Sequence, residues 1–157
     1  MNEFYINNRD VIKNLALNTG TSQNPSFTTI CTASEITLNQ DFSQKDFYVF
    51  CDAVQRSVMT GVAMSLSGTI KIDVNNTAIQ TILGDVHTLV SSGEIAQFNN
   101  QLVRFDLLTG VSGGVLEYTK YQVNVMLKLE SLGGAAEDEG SFGFTMVING
   151  TGTEVSA

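Results

Sequence analysis

Between Val62 and Ile72 the chain alternates: Val62, Met64, Leu66, Ile70 and Ile72 are apolar, while Ser65, Ser67, Thr69 and Lys71 between them are polar. A period of two sends successive side chains to opposite faces, so the stretch predicts an antiparallel strand buried on one side only. Gly68 falls on the apolar side, where a missing side chain predicts a bulge, a bend or a close backbone approach. The same alternation sets Val103, Phe105 and Leu107 against Arg104 and Asp106. It returns in Tyr121, Val123, Val125, Leu127 and Leu129, and in Phe142, Phe144, Met146 and Ile148. Leu116 and Tyr118 are out of phase with the Tyr121 face, which predicts a bulge or a strand leaving the sheet body near Thr119. Residues 27–42 alternate in part, and their β-branched content favours strand.

The period changes once. Ala78, Ile79, Ile82, Leu83, Val86, Leu89 and Val90 recur at threes and fours. Asp73, Asn75 or Asn76 can cap the start, and Ser91, Ser92 and Gly93 supply the stop, so an amphipathic helix at about 76–91 is predicted against the sheet. Gly84 inside it lowers helix propensity by roughly 1 kcal/mol, which points to close packing at that position. Phe47, Phe50, Cys51, Val54 and Val58 also follow a helical spacing, yet Phe47 to Cys51 is strand-like by propensity, and periodicity leaves both readings open. Residues 1–29, punctuated by Gly20 and Pro25, read as an N-terminal arm and loop, residues 30–152 as one β domain, and 153–157 as a tail.

A length of 157 residues fits one domain, and 8 Lys plus Arg against 16 Asp plus Glu give a formal charge of −8, unsuited to gripping nucleic acid through its phosphates. The first residues lack the layout of a secretion signal, and no apolar run is long enough for a membrane helix, so a protein made in the cytoplasm and not inserted in a membrane is expected. Cys31 and Cys51 are expected as reduced, buried, unbridged thiols. His87 is the sole histidine, no serine sits in a nucleophile elbow, and the glycine-bearing turns lack a phosphate-loop lysine. No enzyme chemistry, cofactor or metal site is therefore expected. Glu137, Asp138 and Glu139 form the one acidic cluster; three successive acids diverge and lack the oxygen spacing of a calcium loop, so a solvated turn facing an assembly partner or lumen is the expectation.

FYVFCDAVQRSVMTG, VAMSLSGTIKIDVNNTAIQTILGDVHTLVSSGE and the stretch from FNNQLVRFDLL to FTMVINGTG resemble, in order and wording, the major tail (tail tube) proteins of long-tailed bacteriophages of Gram-positive hosts. The resemblance spans about residues 30–152. It implies a mainly β, antiparallel sandwich or barrel-like tail tube fold with one flanking α-helix, and a structural virion protein whose hexameric rings stack into a tube for genome delivery. It also implies contacts with tape measure, tail terminator and distal tail proteins, DNA passing without specific binding, and Gln40 to Thr60 with the N-terminal arm as bridging segments. A monomeric β-sandwich binding module and an inner-tube protein of a contractile or secretion assembly are the competing readings.

Overall fold

The computed structural model describes residues 5–21 and 23–155. Seven strands form one antiparallel sheet: β1 (Ile12–Asn18), β2 (Phe27–Thr29), β3 (Ala33–Val49), β4 (Asp52–Lys71), β5 (Gln101–Ser112), β6 (Val115–Leu132) and β7 (Ser141–Glu154). Their order across the sheet is β2-β1-β5-β6-β7-β4-β3. Helix α1 (Thr77–Ser92) and one further helical turn, α2 (Ala96–Asn99), fill the connection from β4 to β5. The fold is mainly β with one flanking helix of any length, as the alternating pattern and its single change of period require.

In the body of the sheet the inward face is the apolar one. Leu66 and Ile70 of β4, Val103 and Phe105 of β5, Val123, Val125 and Leu127 of β6 and Phe142, Phe144 and Met146 of β7 are buried together. Each fully buried side chain of this size contributes about 1.5–3 kcal/mol. Helix α1 closes that core with Ala78, Ile79 and Ile82. Its start is fixed by Asn76, whose Oδ1 accepts from the amides of Ala78 at 2.9 Å and Ile79 at 3.4 Å, while its Nδ2 donates to the Thr29 carbonyl at 3.0 Å. Gly93, with φ 74°, takes the left-handed turn that ends it. Leu89 and Val90, in phase with the stripe, have left the core by the last turn and are exposed.

Several expectations are corrected. Residues 12–18 and 27–29, read as arm and loop, are strands of the sheet, with Leu15 and Leu17 buried in its core. Asn14 explains why the pattern concealed β1: it adopts φ 55°, the register shifts between Lys13 and Ala16, and the apolar positions Ile12, Leu15 and Leu17 no longer alternate. Strand β6 does not itself slip near Thr119, but it does leave the sheet body there: β7 pairs with it only from Tyr121 onward, and residues 115–119 pair with β5 alone. The irregularity lies opposite, in β5 between Leu108 and Gly110, and Tyr118 pairs with Leu108 on the outer face, donating its hydroxyl to the Asp10 carbonyl at 2.6 Å. Gly84 is exposed, and a Cβ there would meet nothing, so no close packing explains it. Cys31 and Cys51 are free and exposed; neither is buried.

Candidate assembly interface

Strands β3 and β4 pair along almost their whole length, but β7 pairs with β4 only from Ser65 to Lys71. Beyond Gln40 and Met64 the two strands continue as a ribbon with no third strand among the described residues, turning at Phe50 and Cys51. This settles the ambiguous segment: residues 47–58 are two strands and a turn, and their helical spacing is a by-product of folding back. At about 3.3 Å per residue, the ribbon from Asp41 to Val49 projects roughly 30 Å.

The ribbon is apolar and uncovered. Phe42, Phe47, Tyr48, Val49, Phe50, Val54, Val58, Met59 and Val62 are all exposed, Phe50 completely. The register sorts part of this surface. Phe42 and Val62 pair on the face continuous with the core, and Met59 stays on that face opposite Gln44. A register shift between Ser43 and Gln44 brings Met59 to that position, and beyond it Val58 and Phe47 occupy the opposite face, with Lys45 and Arg56 across from them. The core-side face near the tip is polar instead: Ser57 and Gln44 both donate to Asp46 Oδ1. An isolated two-stranded hairpin is marginally stable in water, and a contiguous apolar surface of this kind marks an interaction site.

The outer sheet face, turned away from α1, is broad and polar. Register places Lys13, Arg104, Lys120, Lys128 and Lys71 there against Asp106, Glu130 and Glu35, five cations and three carboxylates. The chain's net charge of −8 is therefore carried elsewhere. Most of these cations are engaged: Arg104 donates from Nε to Gln122 at 3.0 Å and lies 3.9 Å from the Phe27 ring centroid. Lys120 lies 3.8 Å from Asp106, Lys71 lies 2.9 Å from Glu139, and Lys13 sits 4.7 Å from the Tyr118 centroid. The hydrogen bond to Tyr118 is the main cause that raises the Lys13 pKa.

Glu137, Asp138 and Glu139 lie in the exposed β6–β7 turn, where the Asp138 amide donates to the Ala135 carbonyl at 3.1 Å. The structure does not bring them together around a point: Glu139 is drawn to Lys71, and no group of three His, Cys, Asp or Glu among the described residues is arranged to hold a metal. Asp85 on α1 has a raised pKa, caused first by burial and offset by its hydrogen bond from Gln101. The apolar ribbon is the exposed feature that periodicity obscured, and its signal was the density of aromatic and β-branched residues from Phe42 to Val62.

Comparison with solved structures bears directly on this architecture. A subunit from the tail of an empty gene transfer agent particle, refined with C6 symmetry, matches at TM-score 0.59 and 15% identity over 97% of this chain and all of its own. The SPP1 tail tube subunit matches at TM-score 0.60 and 9% identity over 90% of this chain and 74% of its own. The chain has the tail tube fold. A chain of the anti-feeding prophage baseplate shares it at TM-score 0.50 and 12% identity, over 99% of this chain and 97% of its own. No protein-family model matches the sequence, and no curated protein matches it. At these identities the likeness is one of the tail tube fold itself.

Proposed function

We propose that this chain is the repeating, non-enzymatic subunit of a phage-type tail tube, with six copies to a ring and rings stacked into a hollow conduit for genome delivery. The observation that carries this reading is the β3–β4 ribbon, which projects an uncovered apolar surface that only a partner can shield. It falls within the segment expected to bridge subunits, and the whole chain shares the tail tube fold with a sixfold-symmetric tail. A monomeric binding module gives this ribbon no role.

On this reading α1 lies outside and the polar face of β5, β6, β7 and β4 lines the lumen. The wall is then not the acidic surface that the net charge suggests. Three of its five cations, Arg104, Lys120 and Lys71, are held by Gln122, Asp106 and Glu139, and Ser65, Ser67, Thr69 and Thr145 fill the space between. DNA would pass such a wall without a run of free cations to grip its phosphates. Assembly in a host cytoplasm, location in the virion tail and contacts with tape measure, terminator and distal tail proteins belong to the same proposal. The finer assignment, a long-tailed phage of a Gram-positive host, is carried by the sequence resemblance alone. An inner-tube subunit of a contractile or secretion assembly is the second reading, favoured by the likeness to the anti-feeding prophage baseplate.

The test is a paired charge substitution on the ribbon, Phe47→Asp with Val58→Asp. The variant should melt as the wild-type monomer does yet form no polymer at concentrations where the wild type does. Unchanged polymerisation would remove the ribbon from the account.

A further inference from the structure

The two margins of the sheet face each other across an open groove of about 950 Å³. One wall is the helical turn Asn8–Asp10 with the start of β1, the other is Ala33 to Gln40 of β3, and Ile30 and Leu107 lie between them. The lining is apolar at Val11, Ile12, Ile36 and Leu38. Both walls are strand edges. β3 pairs only with β4, and β2 covers β1 only from Ala16 to Asn18, so among the described residues each wall presents backbone groups with no neighbouring strand. Long unpaired edges are sites where another strand is added.

We propose that this groove is the seat for the tip of the β3–β4 ribbon of a second copy, which adds to the β3 edge and buries Phe47, Val49 and Phe50. The proposal rests on the tail tube reading and goes further by naming the receiving surface. The chain's own ribbon cannot be the occupant, because β3 runs through the groove wall and then carries the tip roughly 30 Å beyond it. A protrusion that fits a groove elsewhere on the same molecule makes a head-to-tail contact, which closes into a ring or propagates as a filament. Since the groove ends at Gln40, where the ribbon begins, a seated tip lies beside the root of the next ribbon.

Two native thiols report on this arrangement. Cys31 lines the groove and Cys51 sits at the ribbon tip, both free and exposed. Concentrated protein is treated with a short bis-maleimide and resolved under denaturing conditions, with electron microscopy of the same sample. A ladder of covalent multimers in the wild type, lost in both Cys31→Ser and Cys51→Ser, is the expected result. A ladder that survives Cys51→Ser means another segment occupies the groove, and dimers that survive Cys31→Ser mean the tips meet each other; either overturns the proposal. Tubes without any ladder overturn the seat and leave the tail tube reading standing. A chain that stays monomeric and uncrosslinked at every concentration overturns both.

Discussion

Gly68 lies against the backbone of Glu35, so closely that a Cβ built on it would overlap the Glu35 carbonyl group. The contact occurs where β3 shifts register, between Ala33 and Glu35 opposite Ile70 and Thr69. No flexible side chain can yield there, since the obstructing atoms are backbone. Gly68→Ala should therefore destabilise the fold by about 2–3 kcal/mol or more, the range of overpacking in a rigid interior. Gly84 supplies the control. Nothing lies within reach of a Cβ there, so Gly84→Ala should stabilise the helix by about 0.5–1 kcal/mol. Urea unfolding of both variants checks the pair, and equal effects would show that neither environment is as described.

Asn76 joins helix α1 to β2 with one side chain, since its oxygen caps two helix amides and its amide nitrogen reaches the Thr29 carbonyl. Asn76→Ala should cost about 1–2 kcal/mol, and Asn76→Asp should keep the cap while losing the bond to Thr29. Denaturant midpoints in the order wild type, Asp, Ala would agree with this. An Ala variant equal to wild type would not.

The acidic turn is proposed as a solvated charge feature at a ring surface or lumen rim, without a bound ion. Replacing Glu137, Asp138 and Glu139 by Gln, Asn and Gln should leave the melting temperature within a degree or two, because all three are exposed and the Lys71 to Glu139 pair is a surface pair. The salt dependence of polymerisation should change. Calorimetric titration with calcium is the check, and a stoichiometric ion lost in the variant would restore a metal site.

Asp85 gives a pH dependence of known sign. Burial raises its folded-state pKa above the unfolded value, so the folded chain holds the proton more tightly. This contribution to stability is fully present below the unfolded pKa and is lost as pH rises through the folded one. Asp85→Asn should thus remove part of the decline in stability from the acid range towards neutrality. A variant whose stability follows the wild-type curve throughout would exclude it.

What could be read from the chain depended on whether a residue's partners lie within this subunit. Helix α1 was legible to within a residue, because Ala78, Ile79 and Ile82 pack on the subunit's own sheet and Asn76 caps it. Strands β4 to β7 were legible because alternate residues enter one core. Strand β1 was not, because Asn14 breaks its phase. The ribbon was ambiguous for a different reason: Phe47, Phe50 and Val58 have no core in this chain to set their period, and register shifts interrupt what alternation remains. Gly68 and Gly84 both looked like packing glycines, and only the strand glycine has a backbone opposite it. The acidic cluster was legible as a turn, while its attachment to Lys71 depends on a strand far away in sequence.

On the tail tube reading, the exposed ribbon is covered by further copies of this chain. Electron microscopy of the purified protein across a concentration series, with sedimentation of the same samples, tests it most directly. Hollow tubes of uniform diameter, with six subunits in each cross-section, are the predicted result. A folded chain that sediments as a monomer at every concentration, ribbon intact, would contradict it.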